Sequence, residues 1–179
     1  MKSITLTGLT LSHEQIVAVA YGASVELDKS RLIAVAKTDE FLAEHVKQQQ
    51  PLYGVSKGFG SNADKLLGAH HIRSSNKTDE TLLEELQRNL IITHAVCVGE
   101  PSSSEVVRAM MVIRINTLMR GHSGIRVETL QALTSMLNAG IVPIVPQLGS
   151  VGASGDLAPL SHLAIVMLGG GEAFYQGRR

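Results

Sequence analysis

The stretch Gly149-Ser150-Val151-Gly152-Ala153-Ser154-Gly155-Asp156-Leu157-Ala158-Pro159-Leu160 sets a serine between an alanine and a glycine in a run of small residues. Gly155 has no side chain, so its amide nitrogen can approach the carbonyl carbon of Ala153. Ring closure there, with loss of one water from the ring and another from the Ser154 hydroxyl, gives a methylidene-imidazolone. That group is a strong electrophile, which no unmodified side chain supplies. The plainer reading is a glycine-rich turn that feeds a helix. A hydrolase elbow, G-x-S-x-G, needs one residue more than Gly152 to Gly155 provides. No G-K-[ST] follows, which disfavours a phosphate loop and a nucleotide.

Other residues with chemistry stand in two segments. Pro51 to Gly60 carries Tyr53 among Gly54, Gly58 and Gly60, a glycine density that means a loop with unusual backbone angles. Thr93-His94 ends an apolar helical stripe. From the residues alone, Tyr53 reads as a loop tyrosine anchoring its hydroxyl, and His94 as a satisfied core histidine. Asp156 reads as the N-cap of a helix. The seven histidines show no metal-ligand spacing, and His70-His71 lie in a polar segment, so no metal is expected.

Composition narrows the classes. The 179 residues suit about one domain, which would bury roughly 70% of its unfolded surface. Lysine plus arginine and aspartate plus glutamate balance at 16 each, giving no electrostatic case for nucleic acid or an anionic membrane. Aromatic residues are 3%, too few for base-stacking platforms. One cysteine, Cys97, precludes an intrachain disulfide framework and suits a reducing cytoplasm. No apolar run approaches a membrane span, and no signal peptide is evident.

The elements that must position these residues read as mainly helical. Ser12 with Gln15 forms a capping-box pattern ahead of Ile16, Val17, Val19 and Ala20, with Gly22 as a stop. Asp28 caps a longer helix with Leu32, Val35, Ala36, Leu42, Ala43 and Val46 on one face. Asn62 to Thr78 is polar and irregular. Thr78 is expected to cap a helix whose apolar side is Leu83, Leu86, Leu90, His94 and Cys97. Ser102 with Glu105 suggests a second capping box, opening a helix to Gly121. Another helix carries Leu130, Leu133, Met136 and Leu137 and ends at Gly140. Ile141 to Pro146 reads as an extended link. Asp156 opens a last helix over Leu157 to Leu168, stopped by Gly169-Gly170-Gly171.

Several blocks together resemble the histidine/phenylalanine/tyrosine ammonia-lyase family. The stretch around Ala153-Ser154-Gly155 is similar to the family's signature. Tyr53-Gly54-Val55-Ser56-Lys57-Gly58-Phe59-Gly60 resembles its tyrosine loop. Leu86-Gln87-Arg88-Asn89-Leu90, through His94 to Val98-Gly99-Glu100, resembles its substrate-selectivity helix. Arg114-Ile115-Asn116-Thr117-Leu118 with Gly121-His122-Ser123-Gly124-Ile125-Arg126 resembles a further block. In the family's order, these blocks span almost the whole chain.

The resemblance implies a mainly α fold: a helical N-terminal domain of the ammonia-lyase type, with loop-borne active-site residues and an incomplete helical bundle. It implies that residues 1–179 are a single N-terminal catalytic-loop domain of a normally longer lyase whose C-terminal helical part is absent. It implies that Ala153, Ser154 and Gly155 cyclise autocatalytically to the electrophile, with no metal and no nucleotide. Tyr53 matches the base that removes the β-proton. Thr93-His94 matches the substrate-selecting pair, close to the Ser-His of histidine-specific members, while Gly60 and Asp156 support the site. The implied reaction is non-oxidative elimination of ammonia from an aromatic or heteroaromatic L-amino acid. Histidine, giving urocanate, comes first, then tyrosine or phenylalanine. An aminomutase, and a truncated non-catalytic association module, are the alternatives. The partners implied are the amino acid and further copies of the chain, a tetramer in the family. Arg114 and Asn116 are expected to tie helices together. Lys57 stands where the family commonly has threonine.

Overall fold

The computed structural model describes residues 3–48, 50–57, 79–152 and 155–179. Gly60, Ala153, Ser154, Thr78 and the 62–77 segment lie outside the described residues. In chain order the described elements are β1 (Ile4–Leu6), α1 (His13–Ala20), β2 (Val25–Leu27), α2 (Lys29–Lys47), α3 (Asp79–His94), β3 (Val98–Pro101), α4 (Ser104–Leu118), α5 (Val127–Asn138), β4 (Ile141–Pro143), β5 (Pro146–Leu148), α6 (Leu157–Met167) and β6 (Ala173–Tyr175). The chain is mainly helical, as the periodicity indicates.

The short strands are additions to that reading. They pair in twos. β1 lies parallel to β2, Ile4 opposite Val25, with α1 as the crossover. β3 pairs antiparallel with β5, and β4 with β6. The expected link at Ile141 to Pro146 is therefore β4 running toward the start of β5. Strands of three or four residues are too short to display a two-residue alternation.

Local chemistry explains the helix boundaries. The Ser12 hydroxyl accepts from Gln15 N–H at 3.3 Å while Gln15 Oε1 accepts from Ser12 N–H at 2.9 Å, closing both halves of the capping box on α1. Asp28 Oδ1 accepts from the N–H groups of Ser30 and Arg31 at the start of α2. The cap of α4 is Ser103, one residue beyond the expected Ser102. Ser102 is committed elsewhere, its N–H donating to Val145 O at 2.8 Å. α4 stops at Leu118, before the expected Gly121, and α3 stops at His94, so Cys97 lies beyond it.

The core forms around α4. Val107, Met111, Val112 and Ile115 are fully buried, and Val19, Leu130 and Leu137 of the neighbouring helices close on them. Each such side chain contributes about 1.5–3 kcal/mol by leaving water. α2 is more lightly held. Of its expected apolar face only Val35 is fully buried, and Ala43 is exposed. Gly8, at φ +74°, lies so close to α4's end that a Cβ would stand 2.6 Å from the Met119 carbonyl carbon, which only glycine avoids.

Two polar side chains of α4, eight residues apart and so close to one face, fasten the N-terminal segment to it. Asn116 Oδ1 accepts from Gly8 N–H at 3.0 Å, and its Nδ2 donates to Leu9 O at 3.1 Å. Arg108 is buried and donates to Val19 O at 2.9 Å, Leu137 O at 3.0 Å and Ala23 O at 3.3 Å. Val19 and Leu137 lie in the last turns of α1 and α5, where carbonyls lack intrahelical partners and the dipole is negative. The guanidinium is thus held by helix ends. Burial still draws its pKa below the ordinary arginine value. Of the expected helix ties, Asn116 makes one, whereas Arg114 is exposed on α4.

Replacing Arg108 by Met keeps the apolar stem but removes the charged donor from three carbonyls. We expect a loss of about 3 kcal/mol, at the upper end of ordinary substitutions. Thermal or urea unfolding checks it; a change under about 1 kcal/mol would remove Arg108 as a fastening point.

Candidate active site

The Tyr53 loop is built by one serine and one carbonyl. Leu52 O accepts from the N–H groups of Val55, Ser56 and Lys57, at 3.2, 3.1 and 2.9 Å. The Ser56 hydroxyl accepts from Leu52 N–H at 2.8 Å and donates to Gln50 O at 2.9 Å. Gly54 takes φ +72°, which lets the chain reverse. Tyr53 and Lys57 face each other in an isolated parallel bridge. Tyr53 is 68% exposed, so it is no buried anchor.

That loop touches α3, since Gln87 Nε2 donates to Gly54 O at 3.4 Å. His94 is seven residues further along the same helix, about 10 Å away and close to the same face. Thr93 Oγ1 donates to Leu90 O at 3.1 Å, and His94 Nδ1 lies 2.8 Å from the same oxygen. A carbonyl can only accept, so Nδ1 carries the ring proton and the Nε2 atom carries the lone pair. The Thr93 hydroxyl and His94 Nδ1 are 3.3 Å apart. The end of α3 therefore presents a hydroxyl and an oriented imidazole side by side.

The signature segment passes the same place. Val98 of β3 pairs with Leu148 of β5, and the next residue, Gly149, has φ +125°. A Cβ on Gly149 would stand 3.0 Å from the Cys97 Cα. Cys97 is buried, and its N–H donates to His162 Nε2 of α6 at 3.1 Å. Burial first, then the Asp156 carboxylate, pushes the Cys97 thiol above its ordinary value, consistent with a small inert core residue. Burial pushes the His162 imidazole below its ordinary value, which favours the neutral ring that accepts this bond.

Asp156 departs from the N-cap reading. It occupies the position before α6, but at φ 59°, ψ 56°, and its side chain caps no amide. Capping requires an extended backbone that swings the side chain back over the first turn, and the left-handed conformation removes that geometry. The carboxylate instead receives the Ser150 hydroxyl, 2.8 Å from Oδ1 and 2.7 Å from Oδ2. This contact closes a loop over positions 150–156. Gly155, at φ +78°, is exposed, and a Cβ there would meet nothing, so its glycine requirement is conformational.

These placements bear on ring closure at residues 153–155. Two successive left-handed residues, Gly155 and Asp156, curl the backbone at the last residue of the tripeptide and the one after it. The residue types fit the group: a glycine amide and, in the next residue, a carboxylate held by Ser150.

The Tyr53 loop is thus attached to α3 at Gln87, and the Gly149 turn and α6 are attached at Cys97, three residues past His94. A cavity of about 590 Å³ lined by Tyr21, Ser104, Glu105, Arg108, Phe174 and Gln176 includes none of Tyr53, Thr93, His94, Gly155 and Asp156. Ser150 and His162 escaped the sequence reading. The signal for His162 was a lone imidazole in a largely apolar helix; Ser150 carried none beyond its small size. Among the described residues no cluster of acidic, histidine and cysteine side chains could hold a metal, and no helix is long and apolar enough to cross a membrane.

Replacing Ser150 by Ala should free the Asp156 carboxylate while leaving global unfolding nearly unchanged. Amide exchange over 155–158 should quicken about fivefold, the loss of one ordinary hydrogen bond. Exchange measured by mass spectrometry checks this, and unaltered rates would show that the contact does not hold the loop.

The aromatic amino acid lyase family model matches residues 11–179. Histidine ammonia-lyase of Symbiobacterium thermophilum is 44% identical over 180 residues, spanning 100% of this chain and 33% of its own. The solved histidine ammonia-lyase of Trypanosoma cruzi superposes with a TM-score of 0.82 at 36% identity, over 99% of this chain and 32% of that one. Tyrosine aminomutase from Streptomyces globisporus gives 0.86 at 33% identity, over 99% and 31%. The chain spans about a third of the length of the curated relatives it matches.

Proposed function

This chain belongs to the aromatic amino acid lyase family, and from that premise we propose that it is the N-terminal catalytic-loop part of a lyase that eliminates ammonia from an aromatic or heteroaromatic L-amino acid. Histidine is the substrate we put first, with urocanate as product. The observation that carries this reading is the convergence at Cys97. There the Thr93-His94 end of α3, the strand leading into the 153–155 tripeptide, and the helix leaving it are fastened together.

The methylidene-imidazolone formed from Ala153, Ser154 and Gly155 supplies an electrophile that turns the substrate's amine into a better leaving group. Everything else falls to side chains. Tyr53, exposed on a loop braced by Ser56 and touching α3, takes the β-proton. The β-proton is a weak acid, so the phenol must be held against the substrate. His94, with its Nδ1 proton committed to Leu90 O, turns its Nε2 lone pair to the substrate's imidazole N–H. Asp156, held by Ser150, assists ring formation by accepting a proton near the Gly155 amide. The first amides of α6 would stabilise negative charge on the ring.

The likeness to histidine ammonia-lyases supports histidine. The likeness to a tyrosine aminomutase supports a second reading, in which the same elimination is followed by return of the amine to the β carbon. Further subunits would complete the site, as the tetramer of the family implies.

A mass deficit of two waters localised to 153–155 is the expected state of the protein. An unmodified tripeptide, with no ammonia released from histidine, tyrosine or phenylalanine, would support the non-catalytic module instead. Ser154→Ala should abolish both the deficit and turnover, since alanine has no hydroxyl to lose. Tyr53→Phe should keep the deficit and slow turnover by about 10²–10⁴-fold. An unchanged rate would remove Tyr53 as the base.

A further inference from the structure

Cys97 N–H is a buried main-chain donor, and such groups must find a partner. Its partner is no backbone carbonyl but the Nε2 atom of His162, 65 positions away on α6, at 3.1 Å. Only a ring with its lone pair on Nε2 can accept there, so the proton of His162 sits on Nδ1. The same Cys97 receives Gly149 against its Cα. Three residues before it stands His94, and six residues before His162 stands Asp156, about 9 Å along α6. One imidazole thus joins the end of the helix bearing Thr93-His94 to the helix that leaves the tripeptide.

We propose that His162 is a positioning residue for substrate: by accepting the Cys97 N–H it fixes the Thr93-His94 end of α3 at a set distance from residues 153–155. His162 touches no reacting atom; it acts through Cys97. The proposal rests on the lyase reading for the role of Thr93-His94, but the contact itself is independent of that reading.

Without the acceptor, the Cys97 amide either stays buried and unpaired or pulls the chain after α3 toward water. Either result shifts Thr93 and His94 relative to the tripeptide, and the consequence is weaker substrate placement rather than loss of chemistry. A glutamine at 162 retains an accepting oxygen at similar reach. A leucine fills the space and accepts nothing.

The test compares wild type, His162→Gln and His162→Leu in the full-length protein. Cys97 amide exchange is read by NMR, KM and kcat on L-histidine by ammonia release, and the 153–155 mass deficit by mass spectrometry. For His162→Leu we expect Cys97 exchange faster by about 10–100-fold, the range for a buried donor left unpaired. We expect KM to rise more than kcat falls, the mass deficit to persist, and His162→Gln to restore exchange and KM to near wild type. Unchanged exchange and KM in His162→Leu would overturn the proposal. So would a His162→Gln variant as impaired as His162→Leu in both readouts. If His162→Leu fails to fold, wild-type-like exchange and KM in His162→Gln still support the accepting role, and loss of both overturns it. A wild type that shows the exchange pattern but releases no ammonia overturns the positioning of substrate together with the lyase reading, while the exchange pattern itself marks which of the two failed.

Discussion

The fold depends on a buried cation that has helix ends where a carboxylate would usually stand. Arg108 gathers carbonyls from the ends of α1 and α5 and from the turn before β2. Val19 O and Leu137 O lie in last helical turns, where the helix end carries a partial negative charge. Removing one charge from water normally costs several kcal/mol. Here the cost is offset by three charge-assisted hydrogen bonds, and the cation gains a structural task that an apolar residue could not perform. Leu and Met pack from any direction, whereas a planar fork accepts only carbonyls placed to match it. Arg108 therefore fixes the angles at which α1, α5 and the β1–β2 pair meet α4. Asn116, two turns on, repeats the device at Gly8 and Leu9.

With α4 fixed, the site can be carried on loops. Among the described residues, none of those assigned chemistry lies in the buried core. Tyr53 is on a turn, Gly155 and Asp156 on another, and Thr93-His94 at the last turn of a helix. What holds them is polar and specific. Ser56 braces the tyrosine turn, Ser150 braces Asp156, and His162 braces the end of α3. Such contacts are individually small, about 1 kcal/mol each, but they have directions. A site that must curl the chain at Gly149, Gly155 and Asp156 needs directional restraint more than bulk burial.

Legibility in the sequence follows the range of the interaction. The capping box at Ser12 and the Asp28 cap are readable because each acts within three residues. The Ser102 expectation missed by one place because Ser102 and Ser103 offer the same hydroxyl, and only the long-range bond from Ser102 N–H to Val145 O decides between them. The strands were hidden for the same reason: each exists through a distant partner. The apolar face of α2 was readable as a face but not as a buried one. Periodicity tells which side of a helix seeks a partner and says nothing of whether these residues supply it. Around the site, glycines marked the loops, and the tripeptide marked its chemistry. The Asp156 geometry did not show, because a residue before an apolar helix looks like a cap whatever its φ.

The Asp156 departure also says something about how such a site is built. A conventional cap would spend the carboxylate on the amides of α6, neutralising the positive end of that helix. The left-handed backbone turns the carboxylate away to Ser150 and leaves the helix end aimed at the segment before it. Pro159, in the first turn, lacks an N–H, so the amides of Leu157 and Ala158 are what that end presents. A left-handed aspartate costs of the order of 1 kcal/mol, which a purely structural turn would avoid by using glycine. Glycine would keep the turn but lose the charge; asparagine would keep the shape but could not take up a proton. Aspartate places a charged acceptor on Ser150 and leaves the helix end uncapped. A chain that needed only to turn here would have had an easier choice in glycine, and the charge that glycine lacks is what the Ser150 hydroxyl meets.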